Sequence, residues 1–374
     1  MARWELLEDE LALQIWDDAL LKFEDYTPFQ TYAWGEYRRA LGWEPCRWIA
    51  FNERGEIVAM ILGLLRRYPF GFGVVWIEGG PVGDLAACDQ SLQQAIKATT
   101  GLKGVYCRFR CDRQRKVEDA LMLSAQSWCR SWSNLTSNYS MILTFTRDES
   151  EMLAACERNW RRNLRRANEG SLTVRQWFNP KVDEVLSVYT SMQSVKGLEE
   201  QHSRKEIENL LANFKDQLVL YRCDDEHADL VSLLGWVLVG NRAWALFWAT
   251  SERGRELHAS YATFWALVQH CQKLNVQSCD LAGIDPIRNH GVYRFKRATG
   301  ASPLEYLGEW DWASSSWLRW CGNWAIGRRE DVKLAESALK TRTDAGVQSE
   351  TSHLDQPKQQ LPERKGLRTS ADAL

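Results

Sequence analysis

Two short stretches hold most of the side chains that could do chemistry. The first is DLAGIDPIRNHGVYRFK (280–296), which gathers Asp280, Asp285, His290, Tyr293 and Lys296 within one span. A lysine there is either a solvated charge or an ammonium that faces a site and holds developing negative charge. On a helix Tyr293 and Lys296 stand three apart and share a side. The plainer reading is a strand, a loop and a helix whose polar groups are caps and surface. A metal held by Asp280, Asp285 and His290 would need a recognisable ligand spacing, and this one matches none. The second stretch, RNWRRNLRRA (158–167), holds five arginines in nine residues. On a helix Arg158, Arg162 and Arg165 share one side, Arg161 and Arg165 the next, with Arg166 beside them, while Trp160 and Leu164 anchor the helix to a core. The arginines form a phosphate-binding face or a solvated helix end that suits the C-terminal dipole. Both readings stand.

Familiar nucleophile and cofactor signatures are missing. The chain has no GxSxG, no phosphate-binding P-loop, no HExxH and no CxxC pair. GFGVVW (71–76) fails GxGxxG at its last position. RATGAS (297–302) is the nearest approach to a coenzyme A pyrophosphate loop, but it ends in Ser and precedes a strand. It therefore lacks the helix-start N–H groups that cradle phosphate. No cofactor and no metal are expected. The net charge of −2 over 374 residues excludes a broadly basic nucleic-acid binder, so any such contact has to be a local patch. Ten irregularly spaced cysteines suit a reducing, cytoplasmic setting. The acid-rich N-terminus does not read as a targeting peptide. The apolar run IVAMILGLL (57–65) is too short to span a membrane and reads as a buried strand.

The elements that must position these residues follow a repeated order. A short helix ending at Gly42 precedes a hairpin (46–52 and 56–67), a strand at 72–81, a helix at 88–101 and a strand at 103–110. A helix near 117–128 and a strand at 139–146 close this half. The second half has helices at 179–195 and 203–214 and three strands between 217 and 250. A long helix at 255–275, a strand, the Lys296 helix and a last strand at 303–310 follow. The pattern predicts a duplicated α/β unit with a mixed sheet flanked by helices. WDWASSSWLRWCGNWAIGRR (310–329) repeats Trp317, Trp320 and Trp324 at helical spacing. That stripe either packs on the first half or lies at a membrane interface, its arginines on anionic lipid. Beyond residue 327 the chain turns polar and aperiodic, and disorder is expected.

Three of these stretches together resemble the FemABX family of aminoacyl-tRNA-dependent peptidyltransferases. FQTYAWGEYRRALGW (29–43) is similar to the family's N-terminal Gln-x-x-x-Trp-x-x-x-Lys-x-x-Gly-Trp signature. RNWRRNLRRANEGSLTV (158–174) resembles its basic linker. Residues 256–300 resemble its long helix, Asp-x-x-Gly strand end and Phe-Lys-x-x-x-Gly helix. The resemblance implies two GNAT-like domains with a cleft between them: residues 1–148, completed by a helix at 313–327, and 149–312, with a tail at 328–374. It implies a compact form without the helical arm of some members. The implied activity is transfer of an amino acid from aminoacyl-tRNA to an amine of a peptidoglycan precursor. It would occur in the cytoplasm or at the inner face of the cytoplasmic membrane. Lys296 and Phe295 match the family's Phe-Lys pair and are the catalytic candidates. Arg38 stands where the signature often has a phosphate-contacting Lys, and Lys196 roughly where the family has an Arg for the same substrate. Trp248 occupies a strand position often held by Tyr. Tyr261 and Tyr293 complete the substrate-binding candidates, and Arg158, Arg162, Arg165 and Arg166 are the tRNA or phosphate candidates. An acyl-CoA-dependent N-acyltransferase and a non-catalytic carbohydrate or membrane-surface binder are the competing readings.

Overall fold

A computed structural model describes residues 2–196, 202–287 and 289–328, with the side chains of 193–196 outside the description. The first half begins with an edge strand, β1 (Arg3–Leu6), and α1 (Asp9–Leu20), which buries Ala12, Trp16, Ala19 and Leu20 at helical spacing. Next comes α2 (Tyr32–Ala40), capped by the Thr31 hydroxyl and ended at Gly42, whose φ of +84° suits glycine. The hairpin β2 (Glu44–Phe51) and β3 (Ile57–Tyr68) follows, then β4 (Phe72–Glu78) and the short β5 (Val82–Gly83). The apolar run 57–65 lies in β3, where residues 59 to 65 are all buried. After it come α3 (Gln90–Thr100), β6 (Gly104–Gln114), α4 (Val117–Ala125), β7 (Cys129–Arg130) and β8 (Tyr139–Thr144).

The second half runs through α5 (Glu149–Ala155), α6 (Arg158–Glu169), β9 (Thr173–Gln176), α7 (Val182–Lys196) and α8 (Arg204–Asn213). Ser203 and Glu206 form a full capping box on α8. A meander of β10 (Leu218–Asp224), β11 (Leu230–Val239) and β12 (Arg242–Thr250) leads to α9 (Glu252–Glu256) and α10 (Ala259–Lys273). The single long helix expected at 255–275 is broken, because His258 takes φ +58° and starts a new helix. The half ends with β13 (Ser278–Asp280), α11 (His290–Arg297), β14 (Ser302–Ala313) and α12, over 316–328.

The strands join in the order β1-β2-β3-β4-β6-β14-β8-β13-β12-β11-β10-β9. Each half contains an antiparallel meander, a helical crossover and a parallel pair: β4–α3–β6 in one, β12–α10–β13 in the other. The fold is thus a mixed sheet flanked by helices, built on a repeated unit. The pairing also corrects the sequence order at one strand. β8 ends the first half in sequence, yet it pairs with β13 and β14 in the second half's sheet. β14 crosses between the halves: Ser302–Glu305 pair with β8, and Tyr306–Ala313 pair with β6. Just past the crossing the pairing with β6 bulges between Tyr306 and Gly308 (φ +80°), where a Cβ added to the glycine would lie 2.8 Å from Asn138 and 2.9 Å from Arg130. Residues Met1–Gly327 form one compact unit. One apolar core is shared by both halves, with Trp34 of α2 against Phe214 beyond α8, ring centroids 6.1 Å apart. The tail expected to be disordered lies outside the described residues.

A buried ion pair pins β14 to β6. Arg108 Nε donates to Glu309 Oε2 at 2.6 Å, and the other Glu309 oxygen accepts from the Thr136 N–H and hydroxyl, both at 2.9 Å. Both ionic side chains are buried. Removing one partner leaves the other charge uncompensated, which costs about 3–5 kcal/mol. Glu309→Ala is therefore expected to lower unfolding free energy by about that much in urea. A loss under about 1 kcal/mol, the range of an exposed pair, would contradict this placement.

Candidate active site

The parallel pairing in the second half is short. β12 and β13 stay together only from Arg242–Ser278 to Trp244–Asp280 and then part. In the first half the equivalent pair, β4–β6, runs unbroken over seven positions. The parted strands open a cavity of about 530 Å³ between the free part of β12 (Ala245, Leu246, Trp248, Thr250), the loop after β13 (Leu281, Ala282) and α11. A ligand crevice beyond the carboxyl ends of strands is the usual place for sites in α/β folds. Most of the exposed lining is apolar.

Lys296 points into this cavity from α11. It is only 4% exposed, and its ammonium donates to the carbonyls of Ala282 at 3.0 Å and Gly283 at 2.9 Å. Its Nζ lies 5.6 Å from the centre of the Trp248 ring. Burial pushes its pKa down to about 8, opposed by the nearby Asp280 carboxylate. Asp280 in turn holds the loop. Its carboxylate accepts from Ser140 of β8, from Tyr306 of β14 and from the Ala282 N–H at 2.8 Å. Ala282 is left-handed at φ +64°, so the loop turns its carbonyls onto Lys296. Phe295 wedges α11 into an aromatic cluster with Trp248 (5.5 Å), Phe264 (5.7 Å) and Tyr261 (4.8 Å).

The structure brings Lys296, Phe295 and Trp248 to one cavity and sets Tyr261 against Phe295 behind it. Tyr293 is half-buried on α11, its ring 6.4 Å from that of His290. Arg38 is not in that lining. It sits on α2, paired with Glu78 at 3.2 Å and 5.4 Å from the Trp34 ring, with its Nε buried and unpartnered. Lys196 is the last residue of α7, and its side chain lies outside the described residues. Trp160 and Leu164 bury α6 as their spacing requires, leaving Arg158, Arg162, Arg165 and Arg166 exposed. None of the four has a carboxylate partner among the described residues. Arg161 differs: it caps carbonyls of Ala154 (3.0 Å) and Cys156 (2.7 Å). Arg166 and Arg162 lie close enough to His258 to help burial lower its pKa. The basic face of α6 therefore adjoins the start of α10, beside Ser260 and Arg255 of the cavity.

Sequence reasoning missed Arg255, Ser260 and Asn289 of the lining, which no motif marks. It also missed a second, polar cleft of about 690 Å³ between the halves, lined by Asp112, Arg113, Arg242, Trp244 and Asp280. Asp112 is buried there against Arg110 (2.7 and 2.8 Å), and desolvation pushes its pKa up to about 6. Asp280 thus stands between the two hollows. Among the described residues, no group of His, Cys, Asp and Glu is arranged to hold a metal.

Residues 196–320 match the model of the FemAB family. Among solved structures the chain is similar to FemX, with 16% identity and a TM-score of 0.70 over 83% of this chain and 96% of that one. It is also similar to a tandem GNAT protein from the clavulanic acid biosynthesis pathway, at 11% identity and TM-score 0.52 over 84% and 99%. A third is the C-terminal domain of a putative lysylphosphatidylglycerol synthetase from Agrobacterium fabrum, at 13% identity and TM-score 0.50 over 83% and 94%. No curated protein matches the chain. These likenesses establish a shared GNAT-like fold, and the FemAB match covers residues 196–320 of the second half.

The pKa of Lys296 has a consequence for stability. A lysine near 8 in the fold and near 10.5 when unfolded favours its neutral form in the fold. Between those values the unfolded chain binds more protons, so this group's contribution to stability rises with pH. Lys296→Met removes that gain. The unfolding free energy of the parent relative to Lys296→Met should rise by about 2–3 kcal/mol from about pH 7 to pH 10. A difference that stays flat across that range would contradict the burial of the charge.

Proposed function

We propose that this chain is an aminoacyltransferase that moves an amino acid from aminoacyl-tRNA to an amine of a peptidoglycan precursor. One observation carries the reading: a buried ammonium, fixed by two carbonyls, at the wall of a largely apolar cavity. The family match over 196–320 supports it independently. The amine nitrogen attacks the ester carbonyl carbon, an amide forms, and the bond to the ribose oxygen breaks. Charge grows on the carbonyl oxygen and then on the leaving ribose oxygen. Lys296 donates to that charge where water is scarce and a hydrogen bond is strong. The proton of the attacking amine passes to a substrate group or to water. Phe295 acts by holding α11 in place. No covalent enzyme intermediate is required. In this reading residues 1–148, completed by the helix at 313–327, and residues 149–312 are two domains of one duplicated fold. The acceptor's phosphates meet the guanidinium of Arg38.

Lys296→Met should leave the fold intact and cut transfer by at least about a hundredfold. The assay incubates the protein with charged total tRNA and each purified precursor and reads product masses. Near-normal transfer by the folded variant would overturn the role of Lys296. Product formed from acyl-CoA, with no dependence on tRNA, would favour the N-acyltransferase reading instead.

The basic face of α6 supplies the donor's phosphate contacts in this reading. Arg162→Glu with Arg166→Glu should raise KM for charged tRNA by about tenfold and flatten its salt dependence, with KM for the acceptor unchanged. Equal KM values for parent and variant would remove α6 from the donor site.

A further inference from the structure

Helix α12 is built inside out. Arg319 donates to Asp311 and to the Arg130 carbonyl (3.1 Å), Asn323 is 1% exposed and donates to Asp311 at 2.8 Å, and Gly322 packs on the Tyr106 ring. The polar and small residues thus face the protein. Trp317, Trp320 and Trp324 face outward, 67%, 51% and 49% exposed. The packing expectation for this stripe is therefore overturned. The indole rings of Trp320 and Trp324 stack on each other, 6.2 Å apart, instead of on the core.

The aromatic surface extends beyond the helix. The Asn323 side-chain oxygen accepts from the backbone N–H of Trp132, whose indole is also exposed. Phe72 and Leu318 crowd Gly104 from both sides, which joins α12 to the β3–β4 turn. At the tip of that turn Phe70 is held at φ +64° and is 88% exposed. Lys103 packs its stem on Gly71 beside Phe70 and has no carboxylate partner among the described residues. In sequence, Arg328 and Arg329 follow the last indole turn.

We propose that this face docks the protein on an anionic membrane surface, with the α12 indoles and Phe70 at headgroup depth. Indoles with one polar N–H suit the boundary between headgroups and acyl chains. Lys103, beside Phe70 at the β3–β4 turn, complements the negative surface. Among the described residues no helix is long and apolar enough to cross a membrane, so the contact is peripheral. The proposal does not depend on the transfer chemistry, because none of these residues lines the Lys296 cavity.

The test is cosedimentation of the full chain with phosphatidylcholine vesicles carrying about one quarter phosphatidylglycerol. The parent should pellet with the vesicles. Trp317→Gln, Trp320→Gln and Trp324→Gln together should weaken binding by at least about tenfold, and Phe70→Ser alone should weaken it severalfold. Circular dichroism and the melting temperature of both variants should match the parent. A parent that stays in the supernatant overturns the proposal, as does a triple variant that binds equally well. So does a parent dimer in solution that the triple variant abolishes, since the face would then belong to a second copy.

Discussion

The site depends on one carboxylate. Asp280 ends β13 at the point where its pairing with β12 stops. It accepts from β8, from β14 and from the turn that follows it. Those bonds fix a loop in left-handed backbone and aim two carbonyls at Lys296. Its charge also offsets part of the cost of burying the ammonium. Without it the turn at Ala282 would lose the acceptor for its N–H and the lysine its nearby counter-charge, while Leu281 and Ile284 would still bond to Met141 and Tyr139.

The duplication explains why only one half carries this arrangement. Both halves build a meander, a crossover helix and a parallel pair. In the first, the parallel pair runs its full length and leaves no gap. In the second, three paired positions suffice before the chain turns away, and the gap becomes the cavity. β14 and β8 then tie the halves through an exchange of end strands, locked by the Arg108–Glu309 pair. The polar cleft reaches Asp280, and the next residues, Leu281 and Ala282, line the apolar cavity.

Much of this was legible in the sequence because it is local. Apolar runs, the Gly42 stop and the Ser203–Glu206 box each act within a few residues of their element. The pairing of Phe295 and Lys296 after DLAG was also local, and so was the anchoring of α6 by Trp160 and Leu164. What failed was long-range. The partner of β8 depends on a strand over 150 positions away in β14. The outward face of α12 depends on Asp311, Tyr106 and Trp132 claiming its polar side. Helical spacing shows that the three tryptophans share a face, but not which way that face looks. The break at His258 had no signal, since a non-glycine residue in left-handed backbone is imposed by its surroundings.

The most direct measurement is the titration of Lys296 itself, followed by NMR on protein with carbon-13 at the lysine ε position and assigned with Lys296→Met. A buried ammonium held against Trp248 titrates near 8. A midpoint near the ordinary 10.5 would show a solvated lysine and remove the physical basis of the site.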